Sequence, residues 1–249
     1  MISSKHPKGI ILYSRLLLTV LLLLLPVNII YIGAEETSKA GTGETWKKTD
    51  DLLFVHHSVG NYWLDSGLDN ELESKNYIDE INEIYYNDVV SNDSGRPKSL
   101  GSVPGDYTDM NHWIRWFNDY LNNTKKEDCT DGENRIIMFK SCYPNSEIYK
   151  NGTEPGDPFS SKRFLTNYKA VFRHYSGYYK NYTSNSYSYE PLERIFAANP
   201  DTLFIPVTFP PRHYAPKDPT NDQEGHRARV FTEWLNNDWV DSYNLRNPG

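Results

Sequence analysis

The chain has 249 residues, a formal net charge of −7, two cysteines and an aromatic share of 14 %. That length holds one sizeable domain rather than two. The acidic balance excludes nucleic acid as the main partner, because phosphate binding needs a basic face, and neither cysteine stands in the Cys/His spacing of a zinc site.

The first residues carry Lys5, Lys8 and Arg15, and an apolar run extends from Leu16 to Ile32, broken by Pro26 and Asn28. A positive segment before an apolar one reads as a signal peptide over residues 1–34, ending near Ala34. The alternative is an uncleaved membrane anchor through residues 10–33, at the short end for a span of roughly 20 residues. Either way, the remainder of the chain is expected to be secreted or held at the extracellular face of the membrane. Residues 35–50 are rich in Thr, Gly, Lys and Glu without an apolar period, and read as a flexible linker. The folded domain is expected over residues 51–249.

Three short apolar runs, Leu52 to His56, Arg135 to Ser141 and Thr202 to Thr208, are β-branched or aromatic and bounded by polar residues. They suit strands buried on both faces. Ile81 to Tyr86 is a fourth candidate. Asp109 to Leu121 puts Met110, Trp113, Ile114, Phe117 and Leu121 on one helical face, with Asp109 as N-cap. Helices are also predicted over Phe159–Tyr179, Glu190–Ala198 and Glu224–Val240, the last with Ala228, Phe231, Leu235 and Trp239 on one stripe. Strand and helix in alternation imply a three-layer α/β/α fold with a mainly parallel sheet.

In such a sheet, ligands bind beyond the carboxyl ends of the strands. The first strand leads into His56-His57-Ser58-Val59-Gly60-Asn61. A serine on a strand-to-helix turn exposes its hydroxyl at the sheet edge, where its own N–H and that of Gly60 would face a developing oxyanion. The blander reading, Ser58 as the plain N-cap of the next helix, is commoner. An adjacent imidazole can take a proton. Neighbours on a strand point to opposite faces, so only one of His56 and His57 can approach Ser58.

The second strand leads into Lys140-Ser141-Cys142-Tyr143-Pro144-Asn145-Ser146. Asn145 can donate a side-chain N–H to an oxyanion, or can be a turn residue. Cys142 is a rival nucleophile without a neighbouring cation in sequence to lower its pKa. After the third strand, Arg212 and His213 hang over the same edge. Cys129 and Cys142 could pair in an oxidising compartment, and two unpaired thiols are an equal expectation. Sequons at Asn92, Asn122, Asn151 and Asn181 fit an exported surface.

The order strand-HHSxGN, strand-FKSCYPNS and strand-TFPP resembles a divergent branch of the SGNH/GDSL hydrolase superfamily, over roughly Asp51 to the end. The resemblance implies a flavodoxin-like domain that hydrolyses esters, often acyl groups on lipids or carbohydrates, with no metal and no cofactor. Ser58 matches the nucleophile, although His56-His57-Ser58 replaces the superfamily's Gly-Asp-Ser. Asn145 matches the oxyanion asparagine without its Gly-x-Asn-Asp surroundings. The oxyanion glycine would be Gly101 or, preferred, Gly105.

The superfamily's final Asp-x-x-His has no clean copy. Asp222 and His226 are spaced by four near the start of the last helix, where His226 reads as solvated. The chain is therefore expected to be C-terminally incomplete and weak or inactive as it stands, with His57 the in-sequence candidate for a catalytic histidine.

Three functions are expected, in order. The first is an extracytoplasmic serine esterase or deacylase on an acyl ester, with a glycan-linked ester as one substrate class. The second is a non-catalytic module binding carbohydrate or another surface polymer through Tyr and Trp. The third is a metal-dependent hydrolase around His56, His57 and His213.

Overall fold

The computed structural model describes residues 50–97, 99–130, 132–174, 181–209 and 219–247. The expected signal peptide and all of the linker but Asp50 lie outside them, as do Arg212 and His213. No helix among the described residues is long and apolar enough to cross a membrane.

Four strands form the central sheet: β1 (Asp50–Val55), β2 (Ile78–Ile84), β5 (Ile136–Lys140) and β8 (Leu203–Val207), in the order β2-β1-β5-β8. All three pairings are parallel. Each central strand is a run of apolar residues because helices cover both faces. Parallel register sorts the side chains. Leu53 and Val55 pair with Ile137 and Phe139, and all four belong to the larger core. Leu52 and Phe54 pair with Ile136 and Met138 and face a smaller second cluster.

The smaller face is covered by one interrupted helical stretch after β1: α1 (Val59–Trp63), a π-turn and α2 (Asp69–Glu73). Trp63, Leu64, Leu68 and Leu72 from it pack on Leu52 and Phe54. The larger face is covered by α3 (Met110–Asp119), α5 (Leu165–Phe172), α6 (Leu192–Ala197), α7 (Pro219–Trp234) and α8 (Val240–Arg246), with the short α4 (Leu121–Lys126) directly after α3. Trp113, Trp116, Phe117 and Trp239 are fully buried there, each such side chain contributing roughly 2–3 kcal/mol through area removed from water.

Several expectations hold with shifted ends. The predicted apolar stripe of Ala228, Phe231, Leu235 and Trp239 is buried in full, and it runs through α7 into a π-turn before α8. The helix expected over Phe159–Tyr179 is shorter. Lys150 bridges Phe164 as an extended pair, delaying the start to Leu165, and Arg173 is already extended at φ −140, ψ 137. Two small antiparallel ribbons, β3 (Val89–Val90) with β4 (Val103–Pro104) and β6 (Tyr182–Ser184) with β7 (Tyr187–Tyr189), were not predicted.

Cys129 and Cys142 are not joined by a disulfide. Cys129 donates its thiol to Asp51 Oδ2 at 3.0 Å, at the amino end of β1, whereas Cys142 lies just beyond the carboxyl end of β5. The length of the sheet separates them.

The chain path locates the crevice. From β1 it moves outward to β2 under α1 and α2, then returns past β1 to β5 by way of α3 on the other face. The direction of winding reverses between β1 and β5, and in open parallel sheets ligands bind outside the strand ends at that reversal. Ser58 comes after β1 and Asn145 after β5, so both flank it.

Candidate active site

Ser58 sits at φ 49, ψ −100, a left-handed conformation for a residue with a side chain. Backbone strain of this kind costs of order 1–3 kcal/mol and persists only where the surroundings impose it. The imposing parts are visible. His56 N–H is tied to Ile84 O at 3.2 Å, Gly60 N–H to His57 O at 3.1 Å, and Asn61 N–H to Ser58 O at 3.0 Å. The chain must leave a buried strand and enter α1 within three residues. Ser58 occupies the N-cap position, yet its side chain makes no capping hydrogen bond. The commoner reading, a capping serine, is thereby set aside.

The two histidines part to opposite faces, as alternation requires. His56 lies on the smaller face, fully buried. Its Nε2 meets Glu83 Oε2 at 3.0 Å, and its ring stacks on Tyr85 at 5.1 Å between centroids. Burial pushes its pKa down to about 4, with Lys140 acting in the same direction and Asp88 against it. Lys140, the last residue of β5, is buried on this side. It donates to Ser141 O at 3.1 Å and lies 5.7 Å from the Trp63 ring. Burial holds its ammonium below the usual lysine range.

His57 lies on the larger face. Its Nδ1 is 3.2 Å from Thr108 Oγ1 and 3.8 Å from Asp106 Oδ1. Its ring stacks on Tyr86 at 4.3 Å and 26°. Burial lowers its pKa to about 4, opposed first by Asp106. Both imidazoles are therefore neutral at pH 7. A neutral ring has one acceptor nitrogen. With Nδ1 facing Thr108 and the Asp106 carboxylate, the tautomer carrying its proton there leaves Nε2 as the acceptor. Nε2 is buried and has no hydrogen-bond partner among the described residues. The Tyr86 phenol is raised by burial first, and then by the neighbouring Cys142, Tyr85 and Asp106. Tyr86 is a stacking neighbour of His57.

Two expected oxyanion donors are otherwise engaged. The Gly60 amide is the turn donor to His57 O. The reason for a glycine there is steric: a Cβ would lie 2.5 Å from the His56 ring. Asn145, 2 % exposed, donates from Nδ2 to Asp109 Oδ1 at 2.6 Å and to Cys142 O at 3.1 Å. Its Oδ1 accepts from Met110 N–H at 2.9 Å and Tyr168 Oη at 3.2 Å. Both amide hydrogens are in use, so Asn145 fastens the turn after β5 to the start of α3 and has no donor left for a substrate. Gly105 has φ 38 and begins the segment that brings Asp106 and Thr108 to His57; Gly101, at φ 80, lies earlier in the same loop.

His226 is exposed on α7, as its solvated reading requires. Among the described residues, no group of three or more His, Cys, Asp and Glu side chains could hold a metal ion, and His56 and His57 diverge to opposite faces.

Sequence reasoning missed Tyr86, Asp106, Thr108 and Lys140. Tyr86 carried a usable signal, since it ends the fourth apolar run and shares the parity of Ile84, the partner of Val55. The 105–108 loop carries no sequence signal for its approach to His57. Compared with known proteins, the chain matches no family model, no curated protein and no solved structure.

Proposed function

We propose that this domain is an extracytoplasmic serine hydrolase of acyl esters, of the SGNH/GDSL kind, with Ser58 as nucleophile and His57 as the group that takes its proton. The observation that carries the reading is the backbone of Ser58. A strained serine at a strand-to-helix turn beside the sheet's switch point, with its hydroxyl withheld from capping, is what a nucleophile requires and what a structural serine avoids. Ser58 Oγ attacks the carbonyl carbon. Its proton would pass to Nε2 of neutral His57, which has no hydrogen-bond partner among the described residues, once Ser58 Oγ comes within hydrogen-bond reach of it on substrate binding, with Thr108 and Asp106 at Nδ1 holding the ring. The same proton then goes to the leaving alkoxide, and water repeats the sequence to release the acid. The Ser58 N–H, on the turn itself, is the main-chain donor this reading assigns to the developing charge.

A glycan-linked ester is the favoured substrate class. Tyr62, Tyr86 and Tyr143, which come after β1, β2 and β5, are 68, 38 and 40 % exposed. Flat rings with a polar tip suit sugar surfaces. The export reading rests on the apolar run Leu16 to Ile32.

A fluorophosphonate probe on the full chain tests the proposal. Labelling that disappears in Ser58→Ala is the expected result, and an unlabelled wild-type chain would overturn it. A second reading, the non-catalytic carbohydrate-binding module, is favoured by one observation: Asn145 has no free donor. Retained glycan binding with no labelling would establish that reading instead.

A further inference from the structure

A glycan on asparagine is a bulky polar group that must stand in solvent, on an Asn-x-Ser/Thr segment that the fold does not use for itself. The four sequons, at Asn92, Asn122, Asn151 and Asn181, all lie among the described residues, and the fold treats them differently. Asn92 is half-buried. Its Nδ2 donates to Arg96 O at 2.7 Å, and its Oδ1 accepts from the N–H and the hydroxyl of Ser94, each at 2.9 Å, so the asparagine and the serine of this sequon are bonded to each other. Asn122 is exposed but stands in α4, and its Thr124 is fully buried. Thr124 Oγ1 donates to Tyr120 O at 2.7 Å and accepts from Trp116 Nε1 at 3.1 Å. Asn181 is exposed and leads directly into β6, where Tyr182 and Thr183 pair with Tyr189 and Ser188.

Asn151-Gly152-Thr153 differs from all of these. Its three residues are exposed and belong to no helix or strand. The loop is held through its main chain: Thr166 N–H donates to Asn151 O at 2.9 Å, and Gly156 N–H to Thr153 O at 3.0 Å. Gly152 has φ 79, a left-handed bend that glycine takes without strain, and a Cβ on it would run into the Thr166 hydroxyl. The glycine thus lets the backbone lie against the start of α5 while the residues on either side of it stay in solvent. We infer that Asn151, on this exposed and main-chain-anchored loop, carries an N-linked glycan and that Asn92 does not. This inference rests on the export reading and is independent of Ser58.

The co-reactant is an oligosaccharide joined through pyrophosphate to a lipid. Asn151 Nδ2 attacks the anomeric carbon. A C–N bond forms as the C–O bond to the pyrophosphate breaks, and the lipid pyrophosphate leaves with the electron pair. One of the two Nδ2 protons goes to a base of the transferring enzyme, and nothing is oxidised or reduced. The Nδ2 that remains has a single N–H. At Asn92 the glycan would have to share a half-buried nitrogen with its bond to Arg96 O, whereas at Asn151 it extends into open solvent.

The test isolates the full chain from the cells that make it, records the compartment it comes from, and maps intact glycopeptides by mass spectrometry. The expected result is a glycan on the peptide holding Asn151 and none on the peptide holding Asn92. Asn151→Gln and Thr153→Ala should each lose the same glycan mass on electrophoresis, and Thr153→Ser should keep it, because the sequon needs a hydroxyl at that position. A chain outside the cytoplasm that is bare at Asn151, or that carries its glycan at Asn92, would overturn the assignment and leave export standing. A chain found in the cytoplasm would overturn the export reading, and the glycan with it.

Discussion

The His56 ring occupies the space that a side chain on Gly60 would need: a Cβ at position 60 would stand 2.5 Å from Cγ and Nδ1 of that imidazole. The atoms in the way are the root of the side chain rather than its flexible end, so the clash has no inexpensive relief. Ser58, with its positive φ, stands between these two residues in the chain.

Gly60→Ala is therefore expected to lower stability by roughly 1–3 kcal/mol, the usual cost of overpacking, and to slow labelling of Ser58. Chemical denaturation and probe kinetics measure the two effects. The double variant with His56→Ala should recover part of the loss, because the clash is removed along with the ring. Additive losses in that cycle would show that the two residues do not press on each other.

The depressed histidines make stability depend on acid. His56 and His57 have pKa values near 4 in the fold, against 6.5 for an unhindered imidazole. Below pH 6.5 the unfolded chain takes up protons that the folded chain refuses. Stability is then complete above about pH 6.5 and falls as the pH drops toward 4. The difference amounts to up to ~3 kcal/mol per imidazole at the acid end. Denaturant midpoints between pH 4 and 7 should show this slope, and it should flatten in His57→Gln. Esterase activity should be level near neutrality and decline as His57 protonates. Activity rising in acid would contradict the base role.

Asn145→Ala separates two roles. As the hub of bonds to Asp109, Cys142, Met110 and Tyr168, it should cost about 2–4 kcal/mol, since truncation leaves buried polar partners unmet. An oxyanion donor would instead lose kcat with stability intact. Equilibrium unfolding measured beside kinetics distinguishes the two.

The scaffold was far more legible than the site. Strands at Leu52, Ile136 and Leu203 announce themselves because a sheet covered on both faces demands unbroken apolar runs, and the stripe from Ala228 to Trp239 has the period of a covered helix. The position of Ser58 obeys the same logic, as does the parting of His56 and His57. What the sequence conceals is the use of hydrogen bonds. Asn145 has the right residue type in the right loop, yet the partners that use up its donors come from the start of α3 and from its own turn, and nothing in the order of residues shows that. Asp106 and Thr108 reach His57 through a glycine-led loop whose path depends on tertiary packing.

A buried carboxylate links three helices of the larger face. Glu193, 1 % exposed, lies between Arg173 at 3.4 Å and Arg246 at 2.5 Å. Arg173 also donates to the carbonyl of Trp239 at 3.2 Å. One carboxylate thus joins the end of α5 to α8 through α6. Burial pushes the Glu193 pKa up and the two guanidinium groups pull it back. Glu193→Ala would leave two partly buried cations facing each other, and breaking a buried pair from one side typically costs about 3–5 kcal/mol. Replacing Arg246 alone leaves Arg173 to neutralise Glu193, so that loss should be smaller. Equal losses in the two variants would mean that Arg173 cannot hold the carboxylate by itself. Thermal denaturation of both variants decides between these outcomes, and Ser58 labelling should be unchanged in each at temperatures where the chain stays folded, because none of the three residues bonds to Ser58, His57 or Asn145.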